Sequence, residues 1–383
     1  MKASSRLLAL ACLTVCLTGP GPARGQTGDG PATQADAAES KIANEIGSLR
    51  NARVALPMPA HRIEITFFSE TLSPRELADL ARIAPNVRIV AGITRQEAVA
   101  RAAEADGVED LYATPEFLAR ATKLVWLQAH GAGVEQFIKM KQIAENNAIV
   151  LTNMRGVHGP AIADHAMAML LALTRDLPFY LEQQAKARWT KRETPTLQPI
   201  ALDGLTMLVV GAGGIGTEVA RRAHGFGMHV IATRRSRAAV PPFIERVGQP
   251  EDLAAMLPEA DVVAICVPLT HETERMFNAA AFAAMKHGSY LINVTRGKIV
   301  DSDAFVAALR SGKLAAAGLD VTDPEPLPPD DPLWHMPNVI ITPHVSGDAE
   351  LTRERWWIMF RENIRRFGAG EPLLNVVDKK AGY

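Results

Sequence analysis

The segment LTMLVVGAGGIGTEVARRAHGFGMHVIATRRSR, residues 205–237, determines the fold that the sequence predicts. An apolar run leads into Gly211, Gly213 and Gly216, and a helical pattern and a second apolar run follow. In a βαβ unit of this kind the first glycine permits the tight turn, the second lets the backbone approach a pyrophosphate, and the third lets the helix pack closely on the strand. The helix N-terminus then offers N–H groups to phosphate oxygens. We therefore predict a dinucleotide-binding unit; the alternative is a turn with a structural role only.

The residues after the second strand indicate which dinucleotide binds. NAD-binding units usually have an acidic residue there, which accepts hydrogen bonds from the ribose, whereas this chain has Arg234, Arg235, Ser236 and Arg237. Guanidinium groups can bind a 2′-phosphate through paired, charge-assisted hydrogen bonds. The sequence therefore favours NADP over NAD, with a solvated basic loop as the alternative.

The N-terminus has the pattern of a secretory signal peptide over residues 1–25. Lys2 and Arg6 precede an apolar run over residues 7–17, and small residues follow as far as Gly25. The run is too short for a permanent membrane anchor, and the order of segments is typical of a cleaved leader. We therefore predict an exported or periplasmic protein, or a cytoplasmic one if the true start codon lies downstream.

Composition excludes several classes of partner. The 383 residues include 41 basic and 42 acidic side chains, a formal net charge of −1, so neither nucleic acid nor an anionic membrane surface is a predicted partner. Cys266 is the one cysteine outside the leader, so no internal disulfide can form after cleavage. We expect Cys266 to line the dinucleotide groove without acting as a nucleophile, and we predict no metal site.

Short apolar runs alternate with helical patterns from His61 onward, which predicts an α/β fold with doubly wound parallel sheets. Residues 26–45 are small, polar and poor in apolar side chains, as in a linker that does not order itself. A helix near residues 160–175 would carry the chain out of the first domain, and a helix over residues 349–367 would bring the chain back to that domain. The predicted organisation is a linker at 26–60, a substrate domain at 61–157 and 349–383, and a dinucleotide-binding domain at 158–348.

Three polar residues follow predicted strands in the second half, at the edge where open α/β sheets bind ligands. Arg296 could hold the carboxylate of a 2-oxo acid and polarise its carbonyl oxygen. His344, in ITPHVSG, suits proton transfer near neutral pH. Glu325 could orient the imidazole through its far ring nitrogen, and Asp323 is the rival for that role.

A second glycine-bearing turn follows an earlier predicted strand, at HGAGV, residues 130–134. Its backbone amides could hold a carboxylate, by the same reasoning as for the phosphate-binding turn.

Six motifs in this order, HGAGVE, VVGAGGIG, CVPLTHET, NVTRG, GLDVTDPEP and TPHVSG, make the chain resemble the D-isomer-specific 2-hydroxyacid dehydrogenase family, from about His61 to the C-terminus. With Arg234 in place of the acidic residue of NAD-type members, the chain resembles the NADP-type members of the family, such as glyoxylate/hydroxypyruvate reductases. The resemblance implies a Rossmann cofactor domain, a flavodoxin-like substrate domain, an active site in the cleft between them and usually a homodimer. It implies catalytic roles for Arg296, Glu325 and His344, with Arg296 also binding substrate.

The resemblance also implies further binding residues along the cleft. The backbone amides of Ala132 and Gly133 would bind the substrate carboxylate. The implied cofactor contacts, besides the glycines and the Arg234–Ser236 segment, are Gly214, Ile215, Val267, Pro268, Thr273, Val294, Thr295 and Asp320.

The implied activity is hydride transfer from NAD(P)H to a small 2-oxo acid, which yields a D-2-hydroxy acid. One alternative is a phosphite-type or other dehydrogenase on the same fold. A second alternative is a non-catalytic nucleotide-sensing module.

Overall fold

A computed structural model describes residues 34–47, 65–69, 72–191, 199–237 and 239–382, and the predicted leader lies outside them. The twelve strands in these ranges are β1 Ile65–Phe68, β2 Val87–Val90, β3 Gly107–Glu109, β4 Trp126–Gln128, β5 Val150–Thr152, β6 Thr206–Val210, β7 His229–Thr233, β8 Arg246–Gly248, β9 Val262–Ile265, β10 Ser289–Asn293, β11 Leu314–Leu319 and β12 Val339–Ile341. The helices there are α1 Gln34–Ile46, α2 Pro74–Ile83, α3 Arg95–Ala100, α4 Pro115–Arg120, α5 Glu135–Ile138, α6 Lys141–Ala144, α7 Gly159–Thr174, α8 Leu177–Ala185, α9 Gly214–Gly225, α10 Leu253–Met256, α11 Ala279–Ala284, α12 Ser302–Arg310 and α13 Glu350–Ala369.

The described strands form two parallel sheets. The first has the order β2-β1-β3-β4-β5, which is the flavodoxin-like order, and the second has the order β12-β11-β10-β9-β6-β7-β8. In the second sheet the order in which strands are added reverses between β6 and β9, and doubly wound sheets bind their ligands at such a point. The predicted α/β class with two doubly wound sheets is confirmed. The edge strand β8 was not predicted, because its sequence Arg-Val-Gly contains no apolar run.

Each sheet is covered on both faces, which is why its strands are apolar almost without interruption. In β6, Met207 and Val209 belong to one apolar cluster, while Leu208 and Val210 belong to the cluster on the opposite face. In the first sheet, Phe67 and Phe68 likewise face different clusters. This double burial fixes both sheets in register, so the carboxyl ends of their strands have defined positions.

The two long helices, α7 and α13, begin and end within two residues of their predicted bounds. Helix α7 packs against α9 and against β10 and β11 of the second sheet. Helix α13 packs its aromatic rings on the first sheet, where Phe367 lies 4.8 Å from Trp126 and 6.3 Å from Phe67 between ring centroids. The last long helix therefore covers the sheet formed by the first part of the chain.

The prediction of an unordered linker is wrong for residues 34–46, which form α1 against α13. Ala43 packs into the apolar cluster of the first sheet, and polar contacts hold the start of the helix. Asp36 accepts two hydrogen bonds of 2.7 Å from Arg82 and a further one from Arg361, whose side chain is only 3% exposed. Composition missed α1 because these partners lie 46 and 325 positions away in the sequence. The stretch at residues 181–199 is polar in sequence, yet its first part is helical, since α8 extends to Ala185; residues 192–198 lie outside the described ranges.

Substitution of Asp36 by alanine should lower the free energy of unfolding by about 2 kcal/mol, because the buried Arg361 guanidinium and the half-exposed Arg82 guanidinium each lose one of their carboxylate acceptors. Glu45→Ala, on an exposed position of the same helix, is the control and should change stability by less than about 0.5 kcal/mol. Urea denaturation measures both values. Equal stabilities of the two variants would show that α1 adds nothing through Asp36.

Candidate active site

The glycine turn between β6 and α9 has the geometry that its sequence predicts. Gly211 has a φ of 100°, and a β-carbon there would lie 2.7 Å from the Val267 side chain. A β-carbon at Gly216 would lie 2.1 Å from the Gly211 carbonyl oxygen, so the helix could not pack on the strand with a larger residue. The structural roles predicted for these two glycines are therefore confirmed.

The N-terminus of α9 fits an anionic group. Gly213 begins the helix without a side-chain cap, and no described atom lies within 4 Å of its would-be β-carbon. Gly214 and Ile215 follow as the first helical residues, whose amide groups have no acceptor within the helix and point along its axis towards its N-terminal end. This cradle would suit the pyrophosphate of a dinucleotide.

The predicted adenosine side of the site is formed by two loops. Arg234 follows β7, its amide donates to Gly248 and its guanidinium donates to the Ala239 carbonyl at 3.2 Å. Arg235 is exposed and its charge lowers the pKa of Glu272, after larger effects from hydrogen bonds of Thr270 and of the Glu272 backbone. Val267, Pro268 and Thr273 lie at the end of β9 and in the turn after it, where Val267 and Thr273 are half-buried and Pro268 is exposed. Ser236 is half-buried and follows Arg235 in the loop after β7.

Cys266 is buried at the end of β9 beneath this loop. Its side chain belongs to the apolar cluster that α7 and α9 form on the second sheet. Burial raises the pKa of the thiol to about 12, so the thiolate needed for nucleophilic attack is not accessible near neutral pH.

His344 and Glu325, which sequence alone could not bring together, form a close pair. His344 Nδ1 lies 2.6 Å from Glu325 Oε1, and both side chains are about two-fifths exposed, 44% and 42%. With Nδ1 engaged by the carboxylate, Nε2 is the ring nitrogen available to a substrate. The rival Asp323 instead lines a groove with Ser302 and Asp303, so the structure favours Glu325 as the partner.

The loop that carries His344 is held by Asp320, which is 1% exposed. The Asp320 carboxylate accepts hydrogen bonds from Thr342 Oγ1 at 2.6 Å and from the amides of Val345 and Ser346 at 3.0 Å each. These contacts fix His344 in a left-handed conformation, φ 56°, which is costly for a residue with a β-carbon. Asp320, predicted as a cofactor contact, thus also anchors the histidine loop.

Arg296 lies against the turn that was predicted to bind a carboxylate. A β-carbon at Gly133 would lie only 1.8 Å from Arg296 Nη2, so the guanidinium occupies the space that a side chain there would need. The turn itself is fixed from below, because Asn153 Nδ2 donates to the Ala132 carbonyl at 2.8 Å and the Met154 amide donates to Gly131. Arg296 comes from the second sheet and Gly133 from the first, so the two sheets meet here.

A residue that the sequence did not single out completes this corner. Glu135 Oε1 accepts a hydrogen bond of 3.0 Å from Arg296 Nε, and Arg296 Nη1 donates to the Thr295 carbonyl at 2.7 Å. Thr295 and its neighbour Val294, both predicted cofactor contacts, are buried at the end of β10. Glu135 stands at the end of the motif HGAGVE, two positions after Gly133, and this proximity was the one available signal.

Two further side chains near the cleft have shifted protonation equilibria. Burial is the main cause that lowers the pKa of His158, and the charge of His130 lowers it further. The His158 ring lies 3.1 Å from the would-be β-carbon of Gly347, in the same loop as His344. Burial also raises the pKa of Asp110, whose carboxylate accepts the His130 amide at 2.9 Å. Burial therefore disfavours the charged form of both side chains.

In the ranges that the structure describes, no helix combines the length and the apolar character that crossing a membrane requires. Within the same ranges, no three His, Cys, Asp or Glu side chains are grouped as metal ligands.

The sequence and the fold match proteins of a known family. The family model described as D-isomer specific 2-hydroxyacid dehydrogenase, NAD binding domain, matches residues 167–346. A glyoxylate reductase from Korarchaeum cryptofilum is 35% identical over 290 residues, which make up 74% of this chain and 85% of that protein.

Two solved structures resemble the whole arrangement. A D-isomer specific 2-hydroxyacid dehydrogenase family protein from Aeromonas salmonicida has a TM-score of 0.70 and 34% identity, with 83% of this chain and 99% of that chain covered. An NADPH-dependent glyoxylate/hydroxypyruvate reductase from Sinorhizobium meliloti, in complex with NADP and sulfate, has a TM-score of 0.68 and 27% identity, with 84% and 100% covered. The chain therefore belongs to the D-isomer-specific 2-hydroxyacid dehydrogenase family, and it is an NAD(P)-dependent oxidoreductase.

Proposed function

We propose that the protein reduces small 2-oxo acids with NADPH and releases the D-2-hydroxy acid. The observation that carries the proposal is the hydrogen-bonded pair of His344 and Glu325, which follow β12 and β11, while Arg296 follows β10 of the same sheet and lies beside a glycine turn. The relative from Korarchaeum cryptofilum is named for glyoxylate, and the one from Sinorhizobium meliloti for glyoxylate and hydroxypyruvate, so these acids are the first substrates to test.

In the proposed mechanism, Arg296 and the amides of Ala132 and Gly133 bind the substrate carboxylate. Bound NADPH would supply the hydride that reduces the carbonyl carbon. His344 Nε2 would donate a proton to the carbonyl oxygen, while Glu325 accepts a hydrogen bond from Nδ1 and stabilises the charged ring before transfer. Because Arg296 also lies beside the carboxylate-binding turn, it could polarise the carbonyl oxygen.

We assign the substrate-binding domain to residues 61–157 and 349–383 and the dinucleotide-binding domain to residues 158–348. The contacts of α13 with the first sheet and of α7 with the second support this division. Closure of the cleft between the domains would exclude water from the reacting groups.

Steady-state NADPH oxidation with glyoxylate, hydroxypyruvate and phenylpyruvate tests the proposal. We expect turnover with at least one acid, and an NADPH preference over NADH. Turnover with phosphite and oxidised cofactor alone would favour the dehydrogenase alternative. Cofactor binding with no oxidation of either reduced cofactor by any acid would favour a nucleotide sensor.

Arg234 is proposed to select NADP. Substitution of Arg234 by aspartate should lower the ratio of kcat/KM for NADPH to that for NADH by about 10- to 100-fold, because a charge-assisted hydrogen bond to the 2′-phosphate is lost and a repulsive charge is added. Arg310→Asp on α12 introduces the same charge change at an exposed position and is the control. If the ratio of the two kcat/KM values is the same in Arg234→Asp as in this control, Arg234 does not select NADP, and NAD becomes the favoured cofactor.

We propose that the protein is a homodimer, as the family resemblance implies. Helix α8 and the residues after it expose large apolar side chains, with Leu181 62% exposed and Trp189 fully exposed. Apolar surface of this kind is typical of a protein interface. Sedimentation equilibrium should give a dimer mass, and a monomer mass at micromolar concentration would contradict it.

We propose that the leader over residues 1–25 directs export. The proposal rests on the sequence pattern alone, since these residues lie outside the described ranges. N-terminal sequencing of protein from the cell envelope should begin at Gln26, and an intact Met1 would support a cytoplasmic enzyme.

A further inference from the structure

Glu135 has no role in the proposed mechanism, although its carboxylate contacts the arginine on which that mechanism depends. It is the first residue of α5 and is about three-quarters buried. Its two oxygens lie 3.0 Å from Arg296 Nε and 3.5 Å from Arg296 Nη2. Glu135 follows β4 of the first sheet and Arg296 follows β10 of the second, and the two residues are 161 positions apart.

The edge of the guanidinium that Glu135 contacts determines which edge is left for a ligand. A guanidinium has five N–H donors in a planar fork, and Nε with Nη2 forms its lateral edge. Glu135 takes that lateral edge, and the Thr295 carbonyl takes one Nη1 donor at 2.7 Å. A substrate carboxylate can therefore be bound in paired fashion through the terminal edge, between Nη1 and Nη2.

The absence of a side chain at Gly133 allows the guanidinium to take this orientation. Arg296 Nη2 lies where a β-carbon of Gly133 would be, which puts the terminal edge beside the amides proposed to bind the same carboxylate. A guanidinium without the lateral contact could turn about its long flexible side chain and lose this alignment. Glu135 thus acts on the substrate through Arg296 and has no contact with the reacting atoms.

The charge of Glu135 has a second effect, opposite in direction. A carboxylate beside the guanidinium partly neutralises it and repels a second carboxylate a few ångströms away. In a partly exposed cleft, a charge at this range changes the affinity for an anion by about tenfold. The same residue would therefore orient Arg296 and weaken its hold on substrate and product.

We infer that Glu135 is a positioning residue for Arg296 and sets the anion affinity of the substrate carboxylate subsite. The inference rests on the proposed function, and it concerns how that function is tuned. A glutamine at this position keeps an oxygen that can accept from Nε and removes the charge, whereas an alanine removes both.

The test compares Glu135→Gln and Glu135→Ala with the wild-type protein, and Glu116→Gln on the exposed surface of α4 is the control for charge. Oxamate binding to the NADPH-saturated protein is measured by calorimetry, and kcat and KM are measured with the preferred 2-oxo acid. We expect Glu135→Gln to bind oxamate about tenfold more tightly and to lower KM similarly, with kcat within about threefold of wild type. We expect Glu135→Ala to lower kcat at least tenfold.

Two results would overturn the inference while the proposed function stands. One is wild-type affinity for oxamate in Glu135→Gln, within twofold, and the other is an equal kcat in Glu135→Gln and Glu135→Ala. A merely structural ion pair would lower the melting temperature of both variants and leave oxamate affinity unchanged. If the wild-type protein neither oxidises NADPH with any 2-oxo acid nor binds oxamate, the proposed function fails, and the inference fails with it.

Discussion

Substitution of His344 by glutamine is expected to lower kcat by about 10²- to 10⁴-fold, the range in which a positioned general acid contributes. Glutamine keeps a polar side chain of similar length, but it cannot deliver a proton to the carbonyl oxygen. The side chain is 44% exposed, so its replacement removes little packing. Steady-state kinetics with the preferred 2-oxo acid measures the loss, and cofactor binding should be retained.

The matched control is His335→Gln, an exposed histidine in the short turn before β12, which should retain wild-type activity. Glu325→Gln should give an intermediate loss, because the imidazole keeps a hydrogen-bonding neighbour but loses the carboxylate at 2.6 Å that orients the ring. A His344→Gln variant with a kcat within about tenfold of wild type would exclude this histidine as the acid.

Substitution of Gly133 by alanine should lower kcat/KM by about 100-fold or more, similar to the loss of a preorganised donor in other active sites. The added β-carbon would lie 1.8 Å from Arg296 Nη2 and 2.8 Å from Glu135 Oε2, so the guanidinium must move away from the carboxylate subsite. The atoms in the clash are the ends of flexible side chains, and the melting temperature should therefore change little.

Gly131→Ala is the control for this prediction, because it makes the same change two positions earlier in the turn. The atom nearest to its would-be β-carbon is the Gly133 amide nitrogen at 4.0 Å, so the methyl group can be accommodated. Near-normal kcat/KM in both variants would mean that Arg296 does not need its position beside Gly133. Equal losses of kcat/KM in Gly131→Ala and Gly133→Ala would show that the effect comes from a change of the whole turn and not from displacement of Arg296.

The fold could be predicted where local pattern and burial agree. The second apolar run of the segment 205–237 forms the strand β7, His229–Thr233, because a glycine-bearing helix end precedes it and a basic loop follows it. Gly211 and Gly216 were predictable because only glycine permits their backbone conformation or close approach. By contrast, α1 depends on ion pairs with residues hundreds of positions away, which composition does not report.

The individual residues of the candidate site could be predicted from the sequence, but the contacts between their side chains could not. Residues at the carboxyl ends of parallel strands converge, so Arg296 and His344 could be expected near one edge. The choice between Asp323 and Glu325 required the course of a proline-rich loop, which no periodicity describes. The contact of Glu135 with Arg296 depends on how the two sheets approach each other, and a single sequence does not encode that distance in any local pattern.

Hydride transfer to a 2-oxo acid is the central claim, and isotope transfer tests it most directly. The protein would be supplied with hydroxypyruvate and with NADPH that carries deuterium at the transferred position of nicotinamide C4. Mass spectrometry and chiral chromatography of the product should show D-glycerate with one deuterium at C2. Glycerate without deuterium would contradict the account, and so would the L-enantiomer. The account would also fail if the protein formed no glycerate from this acid and no reduced product from the other acids.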